Sequence, residues 1–197
     1  MFPSRQKYLE AVKSNLESNI FNHSLALEAC MGGIYDYLQS QNQLSSSEPT
    51  RDNWILAGLI HDIDFAGDTK EQHPLKTLEV LKKYDLEITP IVHEIILAHD
   101  GRRKNIYDSK AKWAIFCADS LTGLIMAVAF VYPSRKLADV KVSSVVKRFL
   151  KEPKFAAGTR RDEVAQCADV DKLNISLEKF IEICLISMQR ISADIGL

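Results

Sequence analysis

The sequence predicts an all-α fold, and three observations carry that prediction. Apolar residues recur at steps of three and four through nearly every patterned stretch. No stretch shows the alternation of a half-buried strand. The breaks between apolar segments hold capping residues and prolines where helices begin and end. With 197 residues, 46% of them hydrophobic and 26% charged, the chain can bury one core without disulfide staples.

The elements follow in order. A first helix is expected from about Ser4 to Glu17 and a second from about Ile20 to Gln39. The polar stretch Ser40 to Pro49 reads as a surface loop. Thr50 caps a third helix ending near His61, and Asp62 to His73 is a loop. Pro74 suits the first turn of a fourth helix, because its missing N–H would be unpaired there anyway. Thr89-Pro90 repeats that logic for a fifth helix to about His99, ended by Asp100-Gly101. A long sixth helix runs from about Ser109 to Val131, before Pro133. Val142 to Leu150 is a short helix and Phe155 to Gly158 a turn. Thr159 with Asp162 reads as a capping box for the next helix, and Ser176 caps a last one to about Ile191. Residues 1–140 are expected to form the helical core, with 141–197 a C-terminal helical extension packed on it within a single structural domain.

Charge and cysteine usage narrow the function classes. Lys plus Arg is 25 and Asp plus Glu is 26, a net charge of −1, which speaks against a nucleic-acid partner. No apolar run approaches the roughly 18 residues of a transmembrane helix, so no membrane partner is expected. Met1 to Val12 carries Arg5, Lys7 and Glu10 and has no signal-type apolar stretch. Cys30, Cys117, Cys167 and Cys184 are separated by 87, 50 and 17 residues, which fits no cysteine metal site or secreted scaffold. A reduced, cytoplasmic protein is the expectation.

The informative residues are polar ones on apolar faces. Ile20, His23, Leu27, Cys30 and Ile34 share a stripe, so His23 faces inward. Trp54, Ala57, Gly58 and His61 share another, and Asp62 follows at once. Ile115, Phe116, Asp119, Gly123, Met126 and Phe130 form a third with Asp119 in its middle. An unpaired buried carboxylate is very costly. Two imidazoles and two carboxylates from separate helices therefore need a common partner, and a divalent metal held by His23, His61, Asp62 and Asp119 supplies one. On the fifth helix His99 falls in line with Ile88, Val92 and Ile95, whereas His93 falls on the helix surface. His73 lies at the end of the loop that begins at His61-Asp62, within reach of the same cavity.

His23, then Leu59-Ile60-His61-Asp62-Ile63-Asp64, then Ala118-Asp119 resembles the H…HD…D pattern of the HD-domain superfamily of metal-dependent phosphohydrolases, over roughly residues 20–130. Ala118 to Ile125 and Phe155 to Gly158 resemble recurrent segments of one subgroup of predicted hydrolases. The resemblance implies an HD-domain helical bundle, one or two divalent ions (Mn, Ni, Co, Fe, Zn or Mg) and hydrolysis of phosphate esters. HD-GYP-type relatives use further histidines for a second metal, and His73 and His99 match those places. This chain has Asp100 where they often have a second adjacent His, and Asp64-Phe65 where they often have Gly-Lys.

Asp62 is the expected catalytic carboxylate, and Asp64 is a candidate general base or a supporting carboxylate. Lys70, Lys76, Arg102, Arg103, Arg160 and Arg161 are the candidate phosphate contacts. The last two belong to a segment, 141–161, with seven cations against one carboxylate, net +6, that otherwise reads as a solvated face. The expected substrate is a small phosphorylated molecule, of which a nucleotide is one example, and a homodimer is compatible with the sequence. Two other readings stand beside this one: a metal- and nucleotide-binding regulatory module, and a di-iron oxygenase on the same fold.

Overall fold

The computed structural model describes residues 4–102 and 107–197. Among them the chain forms nine α-helices, three short 3-10 turns and no strand. The helices are α1 (Arg5–Asn15), α2 (Ser18–Ser40), α3 (Arg51–Ile60), α4 (Thr77–Lys82), α5 (Pro90–Leu97), α6 (Lys110–Val131), α7 (Val142–Lys151), α8 (Arg161–Ala165) and α9 (Leu177–Arg190). The fold is all-α.

Helix α2 is the hub, packed by α3, α6 and α9. Its inner face holds Leu27, Cys30, Met31, Ile34 and Leu38, all fully buried. Helix α3 starts at a complete capping box, in which the Thr50 hydroxyl accepts from the Asn53 N–H and Asn53 Oδ1 accepts from the Thr50 N–H. It then runs close along α2, because Gly58 has no side chain. A Cβ built there would stand 3.0 Å from the Glu28 Cα, the Glu28 N and the Leu27 carbonyl oxygen. Those are backbone atoms and do not yield cheaply. Gly58→Ala is therefore expected to destabilise the protein by about 1–3 kcal/mol, read by denaturant unfolding.

Helix α6 is buried along most of its length, with Ala114, Ile115, Cys117, Ala118, Leu121, Leu124, Ile125 and Val128 fully enclosed. By length and composition it is apolar enough to cross a membrane, but 67% of its most apolar stretch is buried within the protein, as in a core helix. Its Asp119 face opens outward toward the C-terminal end. Ile115 is fully buried, Asp119 nearly so, and Phe130 is 56% exposed. The C-terminal helices join the same core. Phe180, Ile181 and Cys184 of α9 are fully buried, and α8 packs on α6. All four cysteines are free and buried.

Two starts differ from expectation. The fourth helix begins at Thr77, not at Pro74, which lies in a turn after a cis peptide with His73. A proline favours a turn and a first helical turn for the same reason, its fixed φ, so the sequence does not separate them. Thr159 does not cap α8, which begins at Arg161. The preceding Arg160 donates its backbone N–H to the Ser120 hydroxyl, tying the entry to α6 instead.

Candidate metal centre

Three helix ends and two helix interiors deliver the site. His61 follows the last residue of α3, and Asp62 and Asp64 sit in the turn beyond it. His73 ends the 3-10 turn Gly67–Gln72, and His99 lies just past α5. His23 comes from the first third of α2, and Asp119 from the middle of α6.

Two groups of candidate ligands result, and they share Asp62. His23, His61 and Asp62 form one, and Asp62, His73 and His99 the other; within each group the ligand atoms lie within 4.8 Å of one another. Asp62 turns one oxygen to each group. Its Oδ2 is 3.3 Å from His61 Nε2 and 3.7 Å from His23 Nε2. Its Oδ1 is 3.2 Å from His73 Nε2 and 3.9 Å from His99 Nε2. Asp119 Oδ1 completes the first group, 3.0 Å from His23 Nε2.

The partners of the outer ring nitrogens decide what the inner ones offer. His61 Nδ1 donates to the Gly58 carbonyl at 2.9 Å and His99 Nδ1 to the Ile96 carbonyl at 2.5 Å. His73 Nδ1 donates to Asp64 Oδ1 at 2.6 Å. His23 Nδ1 faces the Thr122 hydroxyl at 2.9 Å, and that hydroxyl gives its own proton to the Asp119 carbonyl. Each neutral imidazole thus carries its proton on Nδ1 and presents a bare Nε2 lone pair. Those lone pairs oppose each other in pairs, 3.1 Å apart for His23 and His61 and 2.8 Å for His73 and His99. Two acceptors at that distance repel unless a cation or a proton lies between them. This donor set fits a metal, and the outer hydrogen bonds are those that hold metal-ligating imidazoles in place.

Electrostatics agree. Burial alone would raise Asp62 and Asp119, yet His61 holds Asp62 and His23 holds Asp119 below the ordinary carboxylate range. Burial works against charging His23 and His73, but Asp119 raises the first and Asp64 the second. Burial, then His61, pushes His99 down to about 4, so it stays neutral at physiological pH.

No family model, curated protein or solved structure matches the chain.

The structure brings His23, His61, Asp62, His73, His99 and Asp119 together. Asp62, His73, His99 and Asp119 line a cavity of about 560 Å³, whose wall also holds Phe65, Asp100, Arg102, Arg160 and Glu163; His61 is fully buried and His23 lines a neighbouring hollow. His93 is half-buried on α5 and belongs to neither group. Asp64 is fully buried, with Oδ1 held by His73 and Oδ2 accepting the Lys76 backbone N–H at 2.8 Å. Of the two roles expected for it, the geometry fits the supporting carboxylate rather than the general base.

The cations divide. Arg160 binds Asp119 Oδ2 at 2.7 Å and also pairs with Glu163. Arg102 is 80% exposed at the cavity rim, paired with Asp100. Lys70 lies over the Phe65 ring, and Lys76 pairs with Glu79 on the surface. Neither lines the cavity. Arg161 points away, into the carbonyls of Phe149 and Phe155 at 3.0 and 2.6 Å, and so ties α7 to α8. Arg103 lies outside the described residues. The rest of the basic segment is largely a solvated face, with Lys141, Lys147, Lys151 and Lys154 exposed. Sequence reasoning missed Thr122 and Glu163. Thr122 carries a usable signal, being polar, in a buried run and one turn beyond Asp119.

Proposed function

We propose that this protein is a metal-dependent phosphohydrolase whose centre is divided by Asp62. One observation carries the reading: four imidazoles, each with its Nδ1 proton committed elsewhere, aim their lone pairs toward the two oxygens of one buried carboxylate. A structural site is closed by its protein ligands, whereas an open cavity beside the ligands leaves room for water and substrate and suits chemistry. The resemblance of His23, His61-Asp62 and Asp119 to the HD-domain superfamily supports a phosphate ester as substrate.

His23, His61, Asp62 and Asp119 would hold one divalent ion, and Asp62, His73 and His99 a second. Imidazole donors favour the transition metals over Mg. When bound, such an ion supplies Lewis acidity and lowers the pKa of water from 15.7 toward about 7. The chain's own residues then do the rest. Asp64 and Thr122 fix the rings of His73 and His23. Arg160 occupies Asp119 Oδ2, so that carboxylate presents Oδ1 alone to the imidazoles. Arg160 and Arg102 are the cations that meet the phosphoryl oxygens. The step balances without redox: a water oxygen bonds to phosphorus, the ester P–O bond breaks, and the departing oxygen takes a proton.

The test is phosphate release by protein reconstituted with Mn²⁺, Co²⁺ or Zn²⁺ from a panel of aryl, sugar and nucleoside phosphates. Release that stops on chelation and returns on adding metal back is expected. Protein shown to carry metal that leaves every ester intact overturns the reading.

A further inference from the structure

We infer that the organic part of the substrate enters a second lobe of the cavity, floored by Gly123, and that this part is a small, uncharged, hydroxylated group of sugar size. The inference rests on the phosphohydrolase reading and goes beyond it to the substrate class.

The cavity over Asp62 adjoins a second hollow of about 300 Å³. Asp119 and Arg160 line both, so the ion pair between them stands at the boundary. The two lobes differ in chemistry. The first is walled mainly by charged groups, four carboxylates and two guanidiniums, with His73, His99 and the Phe65 ring beside them. It suits a phosphate with its counter-charges and would penalise an uncharged organic group, which leaves such residues unsolvated. Beyond His23 and the two shared residues, the second lobe is lined by Ser120, Gly123, Ala156, Ala157, Gly158 and Thr159. It adds two hydroxyls and backbone amides, with no further charge and no aromatic ring. A nucleobase is usually held on an aromatic face, and the one ring in this lobe is that of His23, which the candidate metal centre already uses. Hydroxyls and backbone groups suit a polyol. Its volume is near the lower end for small-molecule pockets, enough for one small ring.

The lobe is open because two residues carry no side chain. Gly123 lies four residues after Asp119 on the same face of α6. Glycine weakens a helix interior, and no packing demands it here, since nothing lies within 4 Å of a Cβ built at Gly123. The same holds at Gly158, on the loop side of the lobe. Both residues line the lobe, so a bulky side chain at either place adds volume at its wall.

The test compares kcat/KM for ribose 5-phosphate and for methyl phosphate, whose leaving group is too small to need the lobe. Wild type, Gly123→Leu and Gly158→Leu are each assayed with bound metal quantified. The ratio of the two kcat/KM values is expected to fall by about tenfold or more in both variants, with metal content unchanged. Gly158→Leu lies outside any helix and carries the test alone if Gly123→Leu does not fold. Metal-loaded variants that keep the wild-type ratio overturn the lobe assignment while leaving phosphohydrolysis standing. Wild type that prefers nucleoside monophosphates to sugar phosphates overturns the substrate class. Wild type that releases phosphate from no ester overturns the function on which the inference rests.

Discussion

Asp62→Ala is expected to abolish phosphate release and to empty both halves of the centre. Every other candidate ligand serves one half: His23, His61 and Asp119 the first, His73 and His99 the second. Asp62 alone turns an oxygen to each. Losing even an outer partner that orients a metal ligand typically costs about 10–100-fold in affinity or activity, and losing a carboxylate shared by both halves costs at least as much. Elemental analysis and phosphate release check it together. Asp62→Ala should lose bound metal beyond one equivalent's worth and activity by at least about a hundredfold. His99→Ala, measured beside it, should lose only the ion of its own half, because His23, His61 and Asp119 remain. Asp62→Ala protein with full metal content and wild-type turnover would show that the carboxylate merely fills space between four rings.

The centre was legible in the sequence where burial and helical period conflict with polarity. Asp119 stands amid Ile115, Phe116, Leu121 and Leu124, and no solvated helix places a carboxylate there. His61-Asp62 ends an apolar helix whose start is marked by its Thr50 cap. His99 rather than His93 followed from phase along α5, since about 100° per residue separates the two faces. What the pattern does not carry is direction beyond a helix end. Arg160 and Arg161 are adjacent and chemically identical, yet one meets Asp119 and the other the carbonyls of Phe149 in α7 and Phe155 in the loop after it. The entry angle of α8 decides between them, and that angle depends on Arg160's backbone bond to Ser120, 40 residues away in sequence. Asp64 is ambiguous for a similar reason. A carboxylate two residues beyond a helix is usually solvated, and only the return of the chain through His73 and Lys76 encloses it.

Metal addition is expected to raise the melting temperature of metal-free protein by a large margin, and by more at pH 8 than at pH 6. With all four imidazoles neutral, Asp62, Asp64, Asp119 and Glu163 face a single Arg160, a net negative site that divalent cations balance. Without metal, protons must do so. His23 and His73, raised by Asp119 and Asp64, are the groups that take them up. Raised histidines stabilise the folded state fully below the unfolded pKa of about 6.5, and that contribution fades as pH rises through their folded values. His99 runs the other way. Pushed down to about 4, it contributes stability above about 6.5 that is lost as pH falls toward 4. Metal needs every Nε2 bare, so binding releases the protons of His23 and His73 and strengthens as pH rises. At free metal about a thousandfold above Kd the gain is about 4 kcal/mol, which for a domain of this size is roughly 8–16 °C in Tm. Thermal melts of chelator-treated protein with and without Zn²⁺ or Mn²⁺, at both pH values, read the shift directly. A melting temperature indifferent to saturating metal at pH 8 would mean that the opposed imidazoles share protons and hold no ion.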